Sequence, residues 1–480
     1  MSPKIRFPCL AVLCLGGCCL QATGPSTGLV GPSSAGATGT AGGNGSGSTA
    51  AGVSTGSGGE TGSGSTTGTG SGGSTTGRPS CDIDGRLFPS GTFNPADSAQ
   101  CCNTALNRTA WVPVFRKTLG FPLGSMNGVV DGALGDLNGD GVADMLLVTH
   151  TEMESTEEAQ AVVFLSGEGG FAAPAVYSTA QNQGGGVALG DLDRDGLPDL
   201  IVSTTAALDV FRNAGGGQLE HEMAAYLPSI GCDAVGAPHV LDANNDGWLD
   251  VVVATQSCGR LVFANDAKGD GALLPPVQIV GDSGRGRFNF TTLLTVGNFD
   301  TNETGYEDLA GGNGMAPHFG LEWFDHNVSG MGFPRGIPDT SFQVVDLGSL
   351  PAGSGDAILA TDGASLNVYP PGDLGPTAPA NYPVEDGGGI IAVGDLNGDG
   401  AADVLIASVL VASGASTVDI LLNQADGGFG PAGSFVVPGS GAITRVAAGD
   451  LDGDGLVDMA LVWANGPWEV WVNQCGPAPR

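Results

Sequence analysis

An acidic ten-residue pattern recurs along the chain, and it restricts the possible folds more than any other feature. Its first copy, GDLNGDGVAD from Gly135 to Asp144, places acidic or amide side chains at alternate positions. Five copies are complete, and two weaker copies fill the central gap. The leading positions are Asp136, Asp191, Asp242, Asn298, Asp346, Asp395 and Asp450. They lie 48 to 56 residues apart, which predicts a sevenfold repeat.

Each repeat also contains apolar stretches around the acidic loop. A second alternating stretch follows, such as LDVFRNAGGG at Leu208, and it ends in a turn rich in Gly and Asn. One repeat therefore predicts strand, acidic loop, strand, turn, strand, turn, strand. Four short antiparallel strands in about 50 residues are typical of a propeller blade. The sequence predicts an all-β fold, a seven-bladed β-propeller of four-stranded antiparallel blades.

The loop, its flanking strands and the later N-x-x-G-G-F turn together resemble the FG-GAP or VCBS type repeats. These occur in the integrin α-subunit propeller and in many bacterial surface proteins. The resemblance covers roughly Trp111 to Cys475. It implies a seven-bladed propeller with calcium in the loop between the first two strands of a blade, and a ligand on the opposite face of the ring.

The last repeat ends at Cys475 after only three strands, so closing the ring requires a strand from elsewhere. The segment WVPVFRKTL, from Trp111 to Leu119, precedes the first repeat and has the pattern of an outer strand. We therefore predict that this N-terminal strand completes the seventh blade and closes the ring.

Six cysteines lie beyond the N-terminal segment: Cys81, Cys101, Cys102, Cys232, Cys258 and Cys475. Ring closure would bring Cys475 near Cys101 and Cys102, so we predict a disulfide between Cys475 and one of these two. Cys81 would pair with the other, and Cys232 with Cys258 inside the third repeat. Metal binding by these thiols is the weaker alternative, because no paired CxxC motifs flank them.

The N-terminus predicts export. Residues 1–18 are interpreted as a signal peptide, in which LGGC resembles a bacterial lipobox and Cys18 would be lipidated. This interpretation predicts an outer-membrane or cell-surface lipoprotein, and plain secretion after cleavage near Ala22 is the alternative. Residues 19–80 are rich in Gly, Ser and Thr and predict a disordered tether. Residues 81–110 would form a small leader with cysteines, and residues 111–480 the propeller.

The net charge of the chain indicates which charged partners it can bind. The formal net charge is -34, with only 16 Lys and Arg residues. Nucleic acids and anionic membrane surfaces require basic patches, so we predict no nucleic-acid partner and membrane contact only through the lipid anchor. Divalent cations are the expected charged partners.

The complete loops have the composition of calcium sites. Calcium takes six to eight hard oxygen ligands, and a tight turn can supply them from acids at positions 1, 3, 5 and 9, with a carbonyl from position 7. Glycine at position 6 allows the sharp bend. The predicted ligands are Asp136, Asn138, Asp140 and Asp144 with the carbonyl of Val142; Asp191, Asp193, Asp195 and Asp199; Asp242, Asn244, Asp246 and Asp250; Asp395, Asn397, Asp399 and Asp403; and Asp450, Asp452, Asp454 and Asp458.

These loops predict about five Ca²⁺ sites. A sixth at Asn298, Asp300, Asn302 and Asp308 is open, because that loop has two extra residues. Acidic surface turns without metal are the alternative interpretation. An EF-hand is excluded, because it requires flanking helices and a glutamate at position 12, where Leu147 follows the first loop.

No catalytic motif is found. The five histidines are scattered, and none lies in a nucleophile elbow, a zinc helix motif or a phosphate loop. We therefore predict a non-enzymatic module for binding or adhesion at the surface, with an extracellular protein or glycan as partner. The alternatives are a polysaccharide lyase or hydrolase on a propeller scaffold, or a multivalent lectin. Trp323 and Phe324 of the fourth repeat are either exposed for stacking or part of the core, and the pattern of the third strand favours the core.

Overall fold

The structure is a computed structural model. It describes residues 79–121, 129–149, 159–167, 170–179, 184–204, 207–226, 234–255, 259–279, 293–301, 306–313, 320–327, 330–337, 345–351, 355–384, 388–408, 416–424, 428–430, 433–438, 443–463 and 468–475. The signal peptide, Cys18 and nearly all of the tether lie outside the described residues, as do Asn302 and both members of the predicted pair Cys232 and Cys258. Those predictions stay predictions.

Every regular secondary-structure element in the described ranges is a β-strand. No helix there is long and apolar enough to cross a membrane. The N-terminal strands are β1 (Ser80–Ile83), β2 (Arg86–Pro89), β3 (Phe93–Asn94), β4 (Asp97–Cys101), β5 (Val112–Pro113) and β6 (Phe115–Phe121). Strands β1 and β2 form a hairpin, and β3, β4 and β5 form a three-stranded sheet.

The described strands after β5 form seven four-stranded antiparallel sheets, numbered here in chain order. Sheet 1 contains β7 (Val129–Gly135), β8 (Asp144–Thr149), β9 (Gln160–Phe164) and β10 (Ala175–Ser178). Sheet 2 contains β11 (Gly184–Gly190), β12 (Asp199–Thr204), β13 (Ala207–Asn213) and β14 (Leu219–Tyr226). Sheet 3 contains β15 (Ala234–Leu241), β16 (Asp250–Thr255), β17 (Gly259–Phe263) and β18 (Val277–Ile279). Sheet 4 contains β19 (Leu294–Gly297), β20 (Asp308–Asn313), β21 (Gly320–Asn327) and β22 (Gly330–Gly336).

Sheet 5 contains β23 (Asp346–Pro351), β24 (Asp356–Thr361), β25 (Ser365–Tyr369) and β26 (Ala380–Pro383). Sheet 6 contains β27 (Gly388–Gly394), β28 (Asp403–Ser408), β29 (Ser416–Leu421) and β30 (Gly433–Val437). Sheet 7 contains β31 (Ile443–Gly449), β32 (Asp458–Trp463) and β33 (Trp468–Asn473), with β6 as its fourth strand. The predicted all-β fold of four-stranded antiparallel sheets is confirmed.

The sheets follow one another around a ring. The first strand of each sheet contacts the first strand of the next sheet, and β31 of sheet 7 contacts β7 of sheet 1. At this junction the Nε of Arg445 donates a hydrogen bond to Oδ1 of Asp131 over 2.9 Å. The two charges are buried as a pair, which avoids the large cost of burying either alone.

Strand β6 completes sheet 7 by pairing with β33. The predicted outer strand at Trp111 to Leu119 thus lies at Phe115–Phe121, a few residues further along. The shift has a clear cause, because Val112 pairs with Cys101 in the three-stranded sheet and Trp111 packs its ring against Phe88.

The core consists of apolar layers between neighbouring sheets. The second strand of most sheets is buried at every position, as in Asp199–Thr204, because a sheet covers each of its faces. The middle of such a strand is therefore a continuous apolar run, as at Leu200, Ile201 and Val202, and does not alternate with polar residues. Each fully buried side chain of this kind stabilises the fold by about 1.5 to 3 kcal/mol. Trp323 and Phe324 are 3% and 1% exposed, so both belong to this core.

The leader packs on the ring and shares its core. Ala99 and Cys101 lie in one apolar cluster with Ile420 of sheet 6 and Trp471 of sheet 7. The buried hydroxyl of Ser98 donates to the carbonyl of Ile420 over 2.6 Å. The leader therefore covers the outer edges of sheets 6 and 7.

Two disulfides connect the leader, and both follow the predicted scheme. Cys101 bonds to Cys475, and Cys102 bonds to Cys81. The choice between the adjacent cysteines follows from β4, which ends at Cys101 and directs that side chain into the core shared with Cys475. Cys102 instead lies in a small separate cluster with Cys81 and Ile83.

Candidate metal centres

Each complete acidic loop connects the first and second strands of its sheet, and its side chains fold onto its own backbone. In the loop of sheet 1, Oδ1 of Asp136 accepts the N–H of Gly139 over 2.7 Å, and Oδ2 accepts the N–H of Gly141 over 2.7 Å. The N–H of Asp140 donates to Oδ1 of Asn138, and the N–H of Val142 donates to Oδ1 of Asp140. These are Asx turns, and they hold the acidic side chains on one side of the loop.

The same closure recurs in all five complete loops. The N–H of the glycine at position 6 donates to Oδ2 of the leading aspartate over 2.7 to 3.0 Å. The five bonds are Gly141 to Asp136, Gly196 to Asp191, Gly247 to Asp242, Gly400 to Asp395, and Gly455 to Asp450. Loops of this kind therefore have one conformation, whichever residues occupy positions 3 and 7.

Two positions in each loop have a left-handed backbone. Position 6 has φ of 88° at Gly141, as the sequence predicts. Position 4 was missed, and it is left-handed as well, with φ of 78° at Gly139, 64° at Arg194 and 63° at Asn245. The recurring Gly at position 4 in three of the copies was the available signal, because glycine adopts this conformation without steric cost.

The acids at positions 1, 3 and 5 converge. One carboxylate oxygen from each of Asp191, Asp193 and Asp195 lies within 4.8 Å of the other two, and Asp450, Asp452 and Asp454 form the same arrangement. Two ligands of one Ca²⁺ ion at 2.3 to 2.6 Å lie at most about 5 Å apart, so the spacing fits a single ion. The other three complete loops have Asn at position 3, which offers a neutral oxygen at the same point.

The aspartate at position 9 has a different environment. Asp144 is fully buried; its Oδ2 accepts the N–H of Leu137 over 2.8 Å, and its Oδ1 accepts the N–H of Ser166 over 2.7 Å. It therefore joins position 2 of its loop to the end of the third strand. The equivalent residues Asp199, Asp250, Asp308, Asp403 and Asp458 make the same two bonds.

This arrangement corrects the assumption that all four acids have one role. Position 9 is a buried connector of the blade whether or not a metal is bound. Each of its oxygens has a second lone pair, so it can also contribute to the predicted metal site. The carbonyl of Val142 as a ligand stays a prediction.

A family model supports the repeat. The FG-GAP-like repeat matches residues 136–202, 191–253 and 408–461. Over these residues the chain is similar to FG-GAP-like repeats. A search of curated protein sequences finds no match.

One solved structure agrees with the fold described above, and two more distant ones are similar in part. BBS1N in complex with ARL6DN, soaked with lead, is 10% identical with a TM-score of 0.50, and the match covers 76% of this chain and 98% of that chain. A lectin of Agrocybe aegerita that recognises non-reducing terminal N-acetylglucosamine is 17% identical, with a TM-score of 0.48 and coverage of 75% and 86%. The Dos1 propeller is 11% identical, with a TM-score of 0.46 and coverage of 74% and 94%. The first of these likenesses supports the fold alone, and the other two are too distant to add to it.

Burial and crowding raise the pKa of the position 9 aspartates in the acidic loops. Burial raises the pKa of Asp250, Asp403 and Asp458 to about 7, and the negative charges at position 5 or 3 of the same loop act in the same direction. Burial also raises the pKa of Asp199, although Nη1 of Arg212 lies 3.0 Å from its Oδ2. A bound cation would favour the charged form of each of these carboxylates.

The loop of sheet 4 is held by the fifth sheet. The N–H of Asn298 donates to Oδ2 of Asp356 over 2.8 Å, and the hydroxyl of Thr301 donates to Oδ1 of Asp373 over 2.7 Å. Asp300 is buried and forms a backbone bridge with Gly372. Asn298, Asp300 and Asp308 therefore lie in a setting unlike that of the five complete loops, and metal binding there stays open.

The position assigned to the fifth copy was wrong. Asp346 does not lead an acidic loop; it lies at the start of β23, where its Oδ2 accepts the N–H of Ile391 in the next sheet over 2.9 Å. Pro351 pairs with Asp356, as Gly135 pairs with Asp144 in sheet 1. Only residues 352–355 connect the first two strands, so the acidic loop has been lost from this sheet.

The two roles of the acids can be separated by substitution. We expect Asp403→Ala to reduce the free energy of unfolding in EDTA by about 3 kcal/mol, because it leaves the buried N–H of Leu396 and the half-buried N–H of Asn423 without acceptors. Asp399→Ala, at exposed position 5 of the same loop, is expected to cost below about 1 kcal/mol under the same conditions. Urea denaturation measures both values, and equal losses would contradict the connector role of position 9.

Proposed function

We propose that the protein is a calcium-stabilised propeller that acts outside the cytoplasm as a binding or adhesion module for a protein or glycan. The observation that carries the proposal is the convergence of three carboxylate oxygens in the loops at Asp191 and Asp450. Three more loops have the same backbone conformation, with an amide oxygen at position 3. Five bound Ca²⁺ ions would offset 10 of the 34 net negative charges.

The donor chemistry favours calcium over other common metals. Positions 1, 3, 5 and 9 of the complete loops offer carboxylate and amide oxygens, and none offers His or Cys, which zinc and copper prefer. Magnesium requires a more rigid octahedral set and retains several waters. A flexible turn with many oxygens is the usual arrangement for calcium.

Binding is proposed over catalysis because the acids of these loops already serve the scaffold. Position 1 closes the loop and position 9 joins two strands, so neither is free to act as an acid or base. BBS1N, which shares the fold, was solved in complex with ARL6DN, so a protein partner is one class to test. We propose the face opposite the acidic loops as the binding surface.

A binding screen tests the proposed function. The exported chain is applied to a glycan array and to a panel of surface proteins, in calcium and in EDTA. We expect saturable binding that is lost in EDTA and restored by calcium. Release of shortened or unsaturated saccharides from a polysaccharide would instead support the enzymatic alternative and contradict the proposal.

The lipid anchor is a separate part of the proposal. We expect Cys18→Ala to move most of the protein from the membrane fraction to the soluble fraction, because a transferred diacyl group is the anchor that a lipobox cysteine carries. Cys19→Ala, one residue further along, is the matched control and should stay in the membrane fraction. Fractionation and immunoblotting measure the distribution. An unchanged distribution for Cys18→Ala would favour plain secretion or another anchor.

A further inference from the structure

The acidic loops of neighbouring sheets are bonded to one another. The side-chain amide of Asn213, at the end of the third strand of sheet 2, donates to the carbonyl of Leu137 over 2.8 Å. Leu137 is position 2 of the loop of sheet 1. The backbone N–H of the same Asn213 donates to Oδ1 of Asp199 over 2.9 Å, and Asp199 is position 9 of the loop of sheet 2. One residue thus connects the backbone of one loop to a carboxylate of the next.

The connection recurs at two further junctions. The amide of Asn265 donates to the carbonyl of Leu192, and the amide of Asn473 donates to the carbonyl of Leu396, each over 2.8 Å. Their backbone N–H groups donate to Asp250 and Asp458. The junctions from sheet 2 to sheet 3 and from sheet 6 to sheet 7 are therefore built in the same way as the junction from sheet 1 to sheet 2.

The junction from sheet 7 to sheet 1 uses the backbone instead. Sheet 1 has Ser166 where these sheets have asparagine, and its hydroxyl bonds to Asp144 of its own loop. The N–H of Ala143, which precedes Asp144, donates to the carbonyl of the leading Asp450 over 2.8 Å. The loop of sheet 7 is thus attached directly to that of sheet 1.

Side-chain packing reinforces the same four junctions. At each of these four junctions, the residue at position 7 of one loop lies on the left-handed residue at position 4 of the preceding loop. A Cβ added at Gly139 would lie 3.4 Å from Leu197, one at Gly453 would lie 3.2 Å from Val142, and one at Gly398 would lie 4.0 Å from Leu456. In the fourth case the guanidinium of Arg194 lies over the ring of Trp248, 4.1 Å from its centroid.

The five complete loops belong to sheets 6, 7, 1, 2 and 3, which are consecutive in the ring. We propose that these loops form one coupled arc, in which binding of a cation to one loop raises the affinity of its neighbours. This inference rests on the proposed function, since it concerns how the proposed calcium sites are filled. It predicts positive cooperativity among five Ca²⁺ ions.

The physical basis is shared ordering. A cation in the loop of sheet 1 would fix its backbone, including the carbonyl of Leu137 that receives the amide of Asn213. A fixed Asn213 holds Asp199 in position for the next ion, so the second ion meets a smaller ordering cost. Coupling must be reciprocal, so the second ion strengthens the first by the same factor.

Asn213→Ser tests the arc at the junction between sheets 1 and 2, and serine is the residue that sheet 1 itself has at this site. Asn423→Ser is the matched control, because the side-chain amide of Asn423 donates to Ala402 of its own sheet and, among the described residues, to no other loop. Both substitutions lose a bond to their own position 8, since Asn213 also donates to Pro198. Only Asn213→Ser cuts a junction.

Calcium uptake by the full chain is measured by competition with a chromogenic chelator, after circular dichroism at saturating calcium shows that each variant is folded. For the unmodified protein we expect five ions and a curve steeper than one class of independent sites. Asn213→Ser should still bind five ions, with a flatter curve and a product of the five binding constants about five-fold lower, the effect of losing the coupling carried by one ordinary hydrogen bond. Asn423→Ser should retain the steep curve.

The possible outcomes separate the coupled arc from the proposed calcium sites. Five ions bound independently by the unmodified protein would overturn the coupled arc and leave the proposed calcium sites standing. Equal flattening by Asn213→Ser and Asn423→Ser would also overturn the arc, because the junction would then carry no coupling. Absence of calcium uptake would overturn the proposed function and the arc together.

Discussion

Removal of calcium is expected to lower the melting temperature of the protein by about 15 °C at pH 7.5. One site with free calcium at 100 times its dissociation constant contributes about 2.7 kcal/mol, so five sites contribute on the order of 13 kcal/mol. For a propeller of roughly 370 residues, the entropy of unfolding converts this loss into a shift of that size. Differential scanning calorimetry in calcium and in EDTA measures it.

The pH dependence of the calcium-free protein tests whether charged, buried carboxylates cause this loss of stability. Asp250, Asp403 and Asp458 have pKa values raised to about 7 in the fold, above the ordinary value of 3.8. The folded state then binds these three protons more tightly than the unfolded state does. Their contribution to the free energy of unfolding is therefore fully present below about pH 4 and is lost as the pH rises through 7. In EDTA the melting temperature should therefore rise as the pH falls from 8 to 5. An equal melting temperature in calcium and in EDTA at pH 7.5 would contradict the proposed sites.

Loss of the disulfide between Cys101 and Cys475 is expected to have the second largest effect. This bond joins residues 374 positions apart, and the chain-entropy relation gives about 6 kcal/mol for a loop of that length. It connects the leader to the end of β33, next to the pairing of β6 with β33 that completes sheet 7. Replacing both cysteines by alanine should lower the melting temperature by about 8 °C.

The second disulfide is the matched control. Cys81 and Cys102 are 21 positions apart, so the same relation gives only about 3 kcal/mol. Removing it disturbs only the small cluster of the leader and leaves sheet 7 closed. If the two double variants lose equal stability, closure of the long loop contributes nothing beyond the bond itself, and our account of the ring is wrong.

Much of the fold was available from the sequence because the repeat is local. Each loop closes its own turn through hydrogen bonds between side chains and backbone N–H groups two to five residues apart. GDLNGDG at Asp136 and GDLDGDG at Asp450 therefore adopt the same backbone conformation. The deficit of one strand in the last repeat also predicted that a segment near Phe115 would be needed. The family resemblance agreed with these observations, and the matched repeat model supports it.

The roles within the candidate sites were less accessible. Position 9 looked like one ligand among four, yet Asp144 is a buried connector between its loop and Ser166. Asp346 looked like a degenerate leading acid, although it belongs to the first strand. In both cases spacing along the chain identifies an acid without indicating which backbone N–H it faces.

The sequence by itself determined the number of repeats, the sharp bend at position 6 of each complete acidic loop and the cysteines available for closure, because these depend on neighbours within one repeat. The tertiary structure decided which of Cys101 and Cys102 meets Cys475, how the leader packs on sheets 6 and 7, and how Asn213 reaches Leu137. These contacts join residues from different repeats. They depend on how the sheets pack around the ring, and a pattern within one repeat does not contain that geometry.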